Sequence, residues 1–226
     1  MPFILSDWSF IVYMVAAILA LAAGLYRWFH LTIPLRIALL YVVLPPLWHM
    51  FNSLFLADGA QDSLSLNLIR LIELGLLGFM YWALFAPGLG RKIILIIVLA
   101  AFAFGWINFF FIQGAFQGNT YTLYVLSALS LLLGLVYVHT YPISGKNYGV
   151  LLRPWFLISM AILSNGLAEI AHMYFLGNID PTATVSLQIG NINRIYLCHK
   201  VAFLGVVALG FWQQYKPATL STWSIS

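Results

Sequence analysis

Residues 92–112 read KIILIIVLAAFAFGWINFFFI, a run with no charge after its first residue. About twenty apolar residues are what an α-helix needs to cross the hydrocarbon of a bilayer, and backbone groups in lipid are satisfied only inside a helix or a closed barrel. Six further stretches of this kind follow one another along the chain, at about 8–28, 33–56, 64–85, 120–141, 150–176 and 191–213. Composition agrees: 63% of the residues are hydrophobic and 7% charged, where a soluble domain carries roughly a quarter charged. The expected fold is therefore all-α, a polytopic bundle of seven transmembrane helices forming a single domain over residues 1–226. Turn chemistry separates the spans, at Ala57-Asp58-Gly59-Ala60, Pro87-Gly88-Leu89-Gly90, Gln117-Gly118-Asn119, Pro142-Ile143-Ser144-Gly145 and Asp180-Pro181. The first apolar stretch has no small-residue cleavage site behind it and reads as a retained span. Cys198, the one cysteine, cannot form an internal disulfide.

The placement of charge predicts orientation. Arg27, Arg36, Arg91, Lys92, Lys146, Arg153 and Lys216 fall at helix ends or loops on one side, and Asp7, Asp58, Asp62 and Asp180 on the other. The positive-inside rule then puts the N-terminus outside and the C-terminus in the cytoplasm, as in a bacterial inner-membrane protein. The net charge of +4 is accounted for by these topology signals, so the expected partner is the lipid bilayer and not nucleic acid. Trp28, Tyr81, Trp82, Tyr121, Trp155 and Trp212 near span ends read as interfacial belt or packing, and His30 and His139 as interfacial.

Polar residues inside the spans are the functional signal, because a charged side chain at mid-membrane costs on the order of 2.5–3.5 kcal/mol on insertion scales. In the sixth span Asn165, Glu169 and His172 stand at i, i+4 and i+7 and share one helix face. At about 1.5 Å per residue, the others fall at a similar depth in the outer, periplasmic half. They are His49 and Asn52, just after Pro45-Pro46; Asn67, Arg70 and Glu73; Asn108; and Asn193, Arg194, His199 and Lys200. The inner halves hold little that is comparable. The proline pair is expected to kink its helix and release backbone carbonyls.

Glu169-x-x-His172 has the spacing with which helical bundles present a carboxylate and an imidazole to one metal. With His49 and His199 it makes a candidate metal set of His49, Glu169, His172 and His199, suited to zinc, copper or iron, or, with two axial histidines, to a b-type haem. Asn52, Asn67, Arg70, Glu73, Asn108, Asn165 and Lys200 would supply surrounding hydrogen bonds or a proton path. Met50, Met173 and Cys198 adjoin the histidines in sequence, but a helix turns neighbours about 100° apart, so they read as packing. The plainer alternative is a buried ion-pair and amide network that locks the helices together. Ser53 and Ser164 lie near the cluster without a nucleophile-elbow pattern.

Two resemblances bear on this. The segments 153–159 (RPWFLIS) and 207–212 (VALGFW) resemble the sixth and seventh helices of uncharacterised seven-helix bacterial membrane proteins, some found alongside sensor kinases. That resemblance implies seven helices and a sensory context. Arg70, Glu73 and the run Lys200-Val201-Ala202-Phe203 are similar to microbial rhodopsins, which place an arginine three residues before a counterion carboxylate and a retinal-binding lysine on the seventh helix. The second resemblance implies retinal on Lys200 with Glu73 as counterion. Tyr196, Leu74, Ile162 and Asn165 depart from the usual rhodopsin residues at their positions.

The sequence thus points first to metal-assisted or redox chemistry at a buried His/Glu centre. The rivals are a small-ligand or retinal-type sensor acting through a membrane or signalling protein partner, since no output domain is read in the chain, and a proton-coupled transporter using Glu73, Glu169, His172 and Lys200 as relays.

Overall fold

A computed structural model describes residues 8–55, 59–85, 87–114, 120–140, 154–178 and 185–213, less the side chains of 9, 52–55, 59–63 and 185–188. Seven α-helices run through them: α1 Trp8–Tyr26, α2 Ile33–Phe55, α3 Gly59–Leu84, α4 Leu89–Ile107, α5 Thr120–Thr140, α6 Pro154–Gly177 and α7 Val185–Gln213. No strand occurs among the described residues. Six of the helices are long and apolar enough to cross a membrane, and the apolar part of α1, Phe10–Tyr26, is shorter than these. The protein is an integral membrane protein, its outward surface covered with residues such as Ile96, Leu99 and Phe111 that would be costly to leave in water.

Helix boundaries follow local chemistry. Pro154 opens α6, where its missing N–H is one the first turn leaves unpaired anyway. The first span ends two residues early, and Trp28–His30 form a 3-10 turn that leads into α2. α3 and α7 begin about one turn before the apolar runs, at Gly59 and Val185, because polar residues can extend a helix beyond the hydrocarbon. α4 passes at Asn108 into a π-helical turn, Asn108–Ile112.

Neighbouring helices close a ring in chain order, with α7 returning to pack on α1 and α3 also meeting α5. Small residues set the closest approach. A methyl group added at Gly166 would lie 2.9 Å from the Ser127 carbonyl oxygen, so α5 and α6 touch almost backbone to backbone, as small residues allow in membrane bundles. Leu74, Leu77, Leu126, Ile158, Ile162 and Leu204 are fully buried in the core.

One end of the bundle carries arginines lying over aromatic rings. Arg27 is 5.1 Å from the Trp212 ring, Arg36 5.3 Å from Trp28, and Arg91 3.7 Å from Trp82. These pairs bring together the end of α1, the start of α2, the end of α3, the start of α4 and the end of α7, as alternating helix directions require. Lys146, Arg153, Lys216, Asp7, Asp58 and Asp180 lie outside the described residues, as does the side chain of Asp62.

Candidate functional site: a buried carboxylate and ammonium centre

Glu169 is the focus of the polar interior. It is 5% exposed, and its two oxygens receive hydrogen bonds from three helices. Lys200 Nζ of α7 donates to Oε1 at 2.7 Å, Tyr196 OH of α7 to Oε1 at 3.2 Å, Asn165 Nδ2 of α6 to Oε1 at 3.4 Å, and Ser127 Oγ of α5 to Oε2 at 3.1 Å. Tyr196 and Lys200 stand at i and i+4, which is why one face of α7 delivers both. A buried charge is tolerated when it is paired and its remaining lone pairs are hydrogen-bonded, and Glu169 meets both conditions.

A second ion pair lies within α3, where Arg70 Nη1 donates to Glu73 Oε2 at 2.7 Å. The two pairs meet at a cavity of about 20 Å³, measured as the space open to the centre of a water molecule. Glu73, Lys200, Asn165, Tyr13 and Tyr41 are among the residues lining it. A single water needs about 10–15 Å³ on this measure and two to four polar partners, so the cavity has room for about one. Pro45, Pro46 and Val42 form the α2 part of the wall with Tyr41, and Phe203 and Leu204 of α7 close it. Lacking N–H groups, the two prolines cannot donate to the carbonyls of Tyr41 and Val42 four residues earlier. The expected release of backbone carbonyls thus falls beside the cavity, within a helix that continues past both prolines.

Toward the end of the bundle opposite the arginines, His172 Nε2 donates to Asn193 Oδ1 at 2.9 Å, and its ring stacks on Tyr196 with centroids 4.1 Å apart. The half-exposed imidazole therefore touches the phenol that donates to Glu169. Lys200 Nζ lies 5.0 Å from the Tyr196 ring centroid, a cation–π distance.

The expected site residues thus separate into groups. Glu169, Asn165 and Lys200 come together, with Glu73 and Arg70 across the cavity. Asn67 is buried on α3, 1% exposed. Asn108 belongs to a separate join, its Nδ2 donating to Gln113 Oε1 at 2.9 Å and Thr122 Oγ1 at 3.1 Å, which ties the π turn to α5. The Asn52 side chain lies outside the described residues. Arg194, read with the inward-facing group, is exposed.

The metal set does not assemble as expected. Among the described residues no three or more His, Cys, Asp or Glu side chains form a group that could hold a metal ion, so His49, Glu169, His172 and His199 are not one ligand shell. The physical reasons are local: Glu169 is saturated by its donors, and His172 Nε2 carries the proton it gives to Asn193. Cys198 and Met50 are exposed. The rhodopsin-like pairing is also altered, since Lys200 pairs with Glu169 of α6 and Glu73 with Arg70.

Ser127, Tyr13 and Tyr41 were not foreseen from the sequence. Ser127 had a signal, because Ser127, Ser130 and Gly134 place small residues along one face of α5 at the spacing of a close helix contact. Tyr13 and Tyr41 had none beyond lying inside apolar spans.

No family model matches the chain, and neither a curated protein nor a solved structure shows significant similarity to it.

Proposed function

We propose that this integral membrane protein is proton-responsive, and that its switch is the Glu169–Lys200–Glu73 centre. The observation that carries the reading is one largely buried ammonium, 14% exposed, beside two buried carboxylates on different helices: Lys200 is 2.7 Å from Glu169 and shares the water-sized cavity with Glu73. A proton on Glu169 cancels its attraction for Lys200 and leaves Glu73 as the nearby anion. The α6–α7 pair and α3 then favour a different packing, and protons bias the two arrangements as any ligand biases a two-state element. His172 and Tyr196 supply the approach for the proton from the end opposite the arginines.

The readout we favour is a conformational signal to a membrane partner. In the arginine-lined half, the buried polar side chains among the described residues include the hydroxyls of Ser159, Tyr81 and Tyr137 and the guanidinium of Arg27, with no buried carboxylate or histidine to continue a proton relay. The arginine-lined end suits the cytoplasmic side of a bacterial inner membrane, which puts the N-terminus outside and the centre toward the periplasmic face.

The test is an infrared pH titration of the purified protein in lipid. The chain has only 6 acidic residues, and Glu73 and Glu169 are the buried ones among the described residues, so a carboxyl band is assignable by substitution. The expected result is a pH-dependent buried-carboxyl signal coupled to amide changes, both lost in Glu169→Gln. A wild-type spectrum identical to that of Glu169→Gln across about pH 4–9, the range in which such groups and histidines titrate, would overturn the proposal.

A metal or haem centre for redox or metal-assisted chemistry is the second reading. One observation favours it: His199 Nε2 is buried without a hydrogen-bond partner among the described residues, as an unused ligand nitrogen would be. Binding there would require Glu169 to release Lys200, or His172 to release Asn193. Absorption spectroscopy with elemental analysis of one purified sample decides it. A Soret band or a stoichiometric transition metal would establish this reading, and a colourless metal-free protein would remove it. A hydroxylamine-bleachable band would instead assign retinal to Lys200, beside which the cavity of about 20 Å³ would have to open widely.

A further inference from the structure

A separate feature lies on the outer surface where α1, α2 and α3 meet. It is an almost wholly apolar groove of about 500 Å³ lined by residues including Leu25, Leu40, Val43, Leu47 and Ile72, with Trp28 at the arginine-lined end of the bundle. That volume is within the range of ligand-binding clefts. Leu25, Leu40 and Ile72 are about half exposed, so the groove opens outward to the lipid rather than into the core.

Beside Trp28 stands a fixed cation. Arg36 Nε donates to the carbonyls of Trp28 at 3.2 Å and Leu31 at 3.1 Å, and its guanidinium lies over the Trp28 ring. The terminal nitrogens of Arg36 have no hydrogen-bond partner among the described residues. The guanidinium is thus held by one edge and presents its two NH2 groups, the geometry that meets phosphate oxygens as a fork. An apolar trough ending at a pre-oriented guanidinium and an interfacial tryptophan matches a molecule with a long hydrocarbon chain and an anionic head.

We infer that this groove seats one anionic phospholipid, an acyl chain along α1–α2–α3 and the phosphate on Arg36. The site is independent of the Glu169 centre, with α2 between them: Val42, Pro45 and Pro46 face the cavity, while Val43, Leu44 and Leu47 face the groove.

The experiment is native mass spectrometry of the full chain in mild detergent. Phosphatidylglycerol and phosphatidylcholine with identical acyl chains are added in turn, and thermal unfolding is followed on the same samples. Wild type should retain phosphatidylglycerol about five-fold better, the worth of one surface cation toward anionic lipid. Arg36→Gln should remove that preference and Arg36→Lys keep part of it. Leu40→Trp, which fills the trough from its exposed side, should reduce retention of both lipids. Equal retention of the two lipids by folded wild type would overturn the inference, as would an unchanged preference in Arg36→Gln. Unaltered retention in Leu40→Trp would overturn the seat in the groove, and equal stabilisation by inorganic phosphate alone would show an anion site without a lipid. Should Arg36→Gln fail to fold, the wild-type lipid comparison and Leu40→Trp still decide the matter.

Discussion

Lys200 Nζ pairs with Glu169 Oε1 at 2.7 Å across the α6–α7 contact, although Glu73 of α3 lines the same cavity. Tyr196, Ser127 and Asn165 also donate to Glu169, while Glu73 is engaged by Arg70 from its own helix. The choice of partner follows from that distribution. Four donors converge on Glu169, and the second carboxylate already has a cation.

Breaking this pair from one side should cost more than removing it whole. Glu169→Gln or Lys200→Met alone leaves a buried charge without its partner, and each is expected to destabilise by about 3–5 kcal/mol. The double substitution should recover most of the loss, because two neutral side chains carry no uncompensated charge. Thermal or denaturant unfolding of the four proteins in one detergent gives the coupling as a double-mutant cycle. An additive double mutant would show that the two residues do not interact.

Ser127→Ala removes one donor from Glu169 and leaves the helix contact intact. A hydrogen bond to a charged group is worth about 1.5–3 kcal/mol, so the loss should fall in that range. The buried-carboxyl infrared band should also shift in frequency, which a packing change elsewhere in α5 would not produce. Thr140→Ala is the control. Its hydroxyl bonds the Val136 and Tyr137 carbonyls of its own helix, and it should leave the band where it is.

How much of this was legible in the sequence differs by level. The seven helices were, because about twenty apolar residues per span leave the backbone few alternatives. So was the polar face of α6, since Asn165, Glu169 and His172 repeat at helical spacing. The pairing was not. Depth along a helix places Lys200 level with both carboxylates, and only the rotation of α7 about its axis, set by packing against α1 and α6, brings it to Glu169. The same rotation sends Arg194 outward, and Asn193, which accepts from His172, and Tyr196, which donates to Glu169, engage those two residues in place of a metal. Ser127 reaches Glu169 only because Gly166 lets α5 approach.

Substitution of that glycine should therefore be costly, whereas Gly205, which faces open space, should tolerate it. In Gly166→Ala the added methyl would meet the Ser127 carbonyl at 2.9 Å, and backbone atoms cannot swing aside as a side chain can. α5 and α6 must separate, which strains the packing by about 1–3 kcal/mol and loosens the Ser127–Glu169 bond. Gly205→Ala on α7 meets nothing within 4 Å and should be neutral or stabilising by up to about 1 kcal/mol, through the lower backbone entropy of alanine. Unfolding midpoints of the two variants, with the carboxyl band of each, separate a close helix contact from a general intolerance of change.

The π turn after α4 gives a prediction of opposite kind. Asn108 is fully buried, and its amide binds Gln113 and Thr122, while Gln113 Oε1 also accepts from the Tyr121 backbone N–H. Asn108→Leu should remove these joins between α4 and α5 and leave buried partners unpaired, at about 1–3 kcal/mol. None of its hydrogen bonds given above reaches Glu169, Glu73 or Lys200. The pH-dependent carboxyl signal of Asn108→Leu should accordingly match wild type under conditions where the variant remains folded. A titration that moved with Asn108→Leu as far as with Ser127→Ala would mean that the α4–α5 join and the carboxylate centre form one cooperative network, and that the separation drawn between them fails.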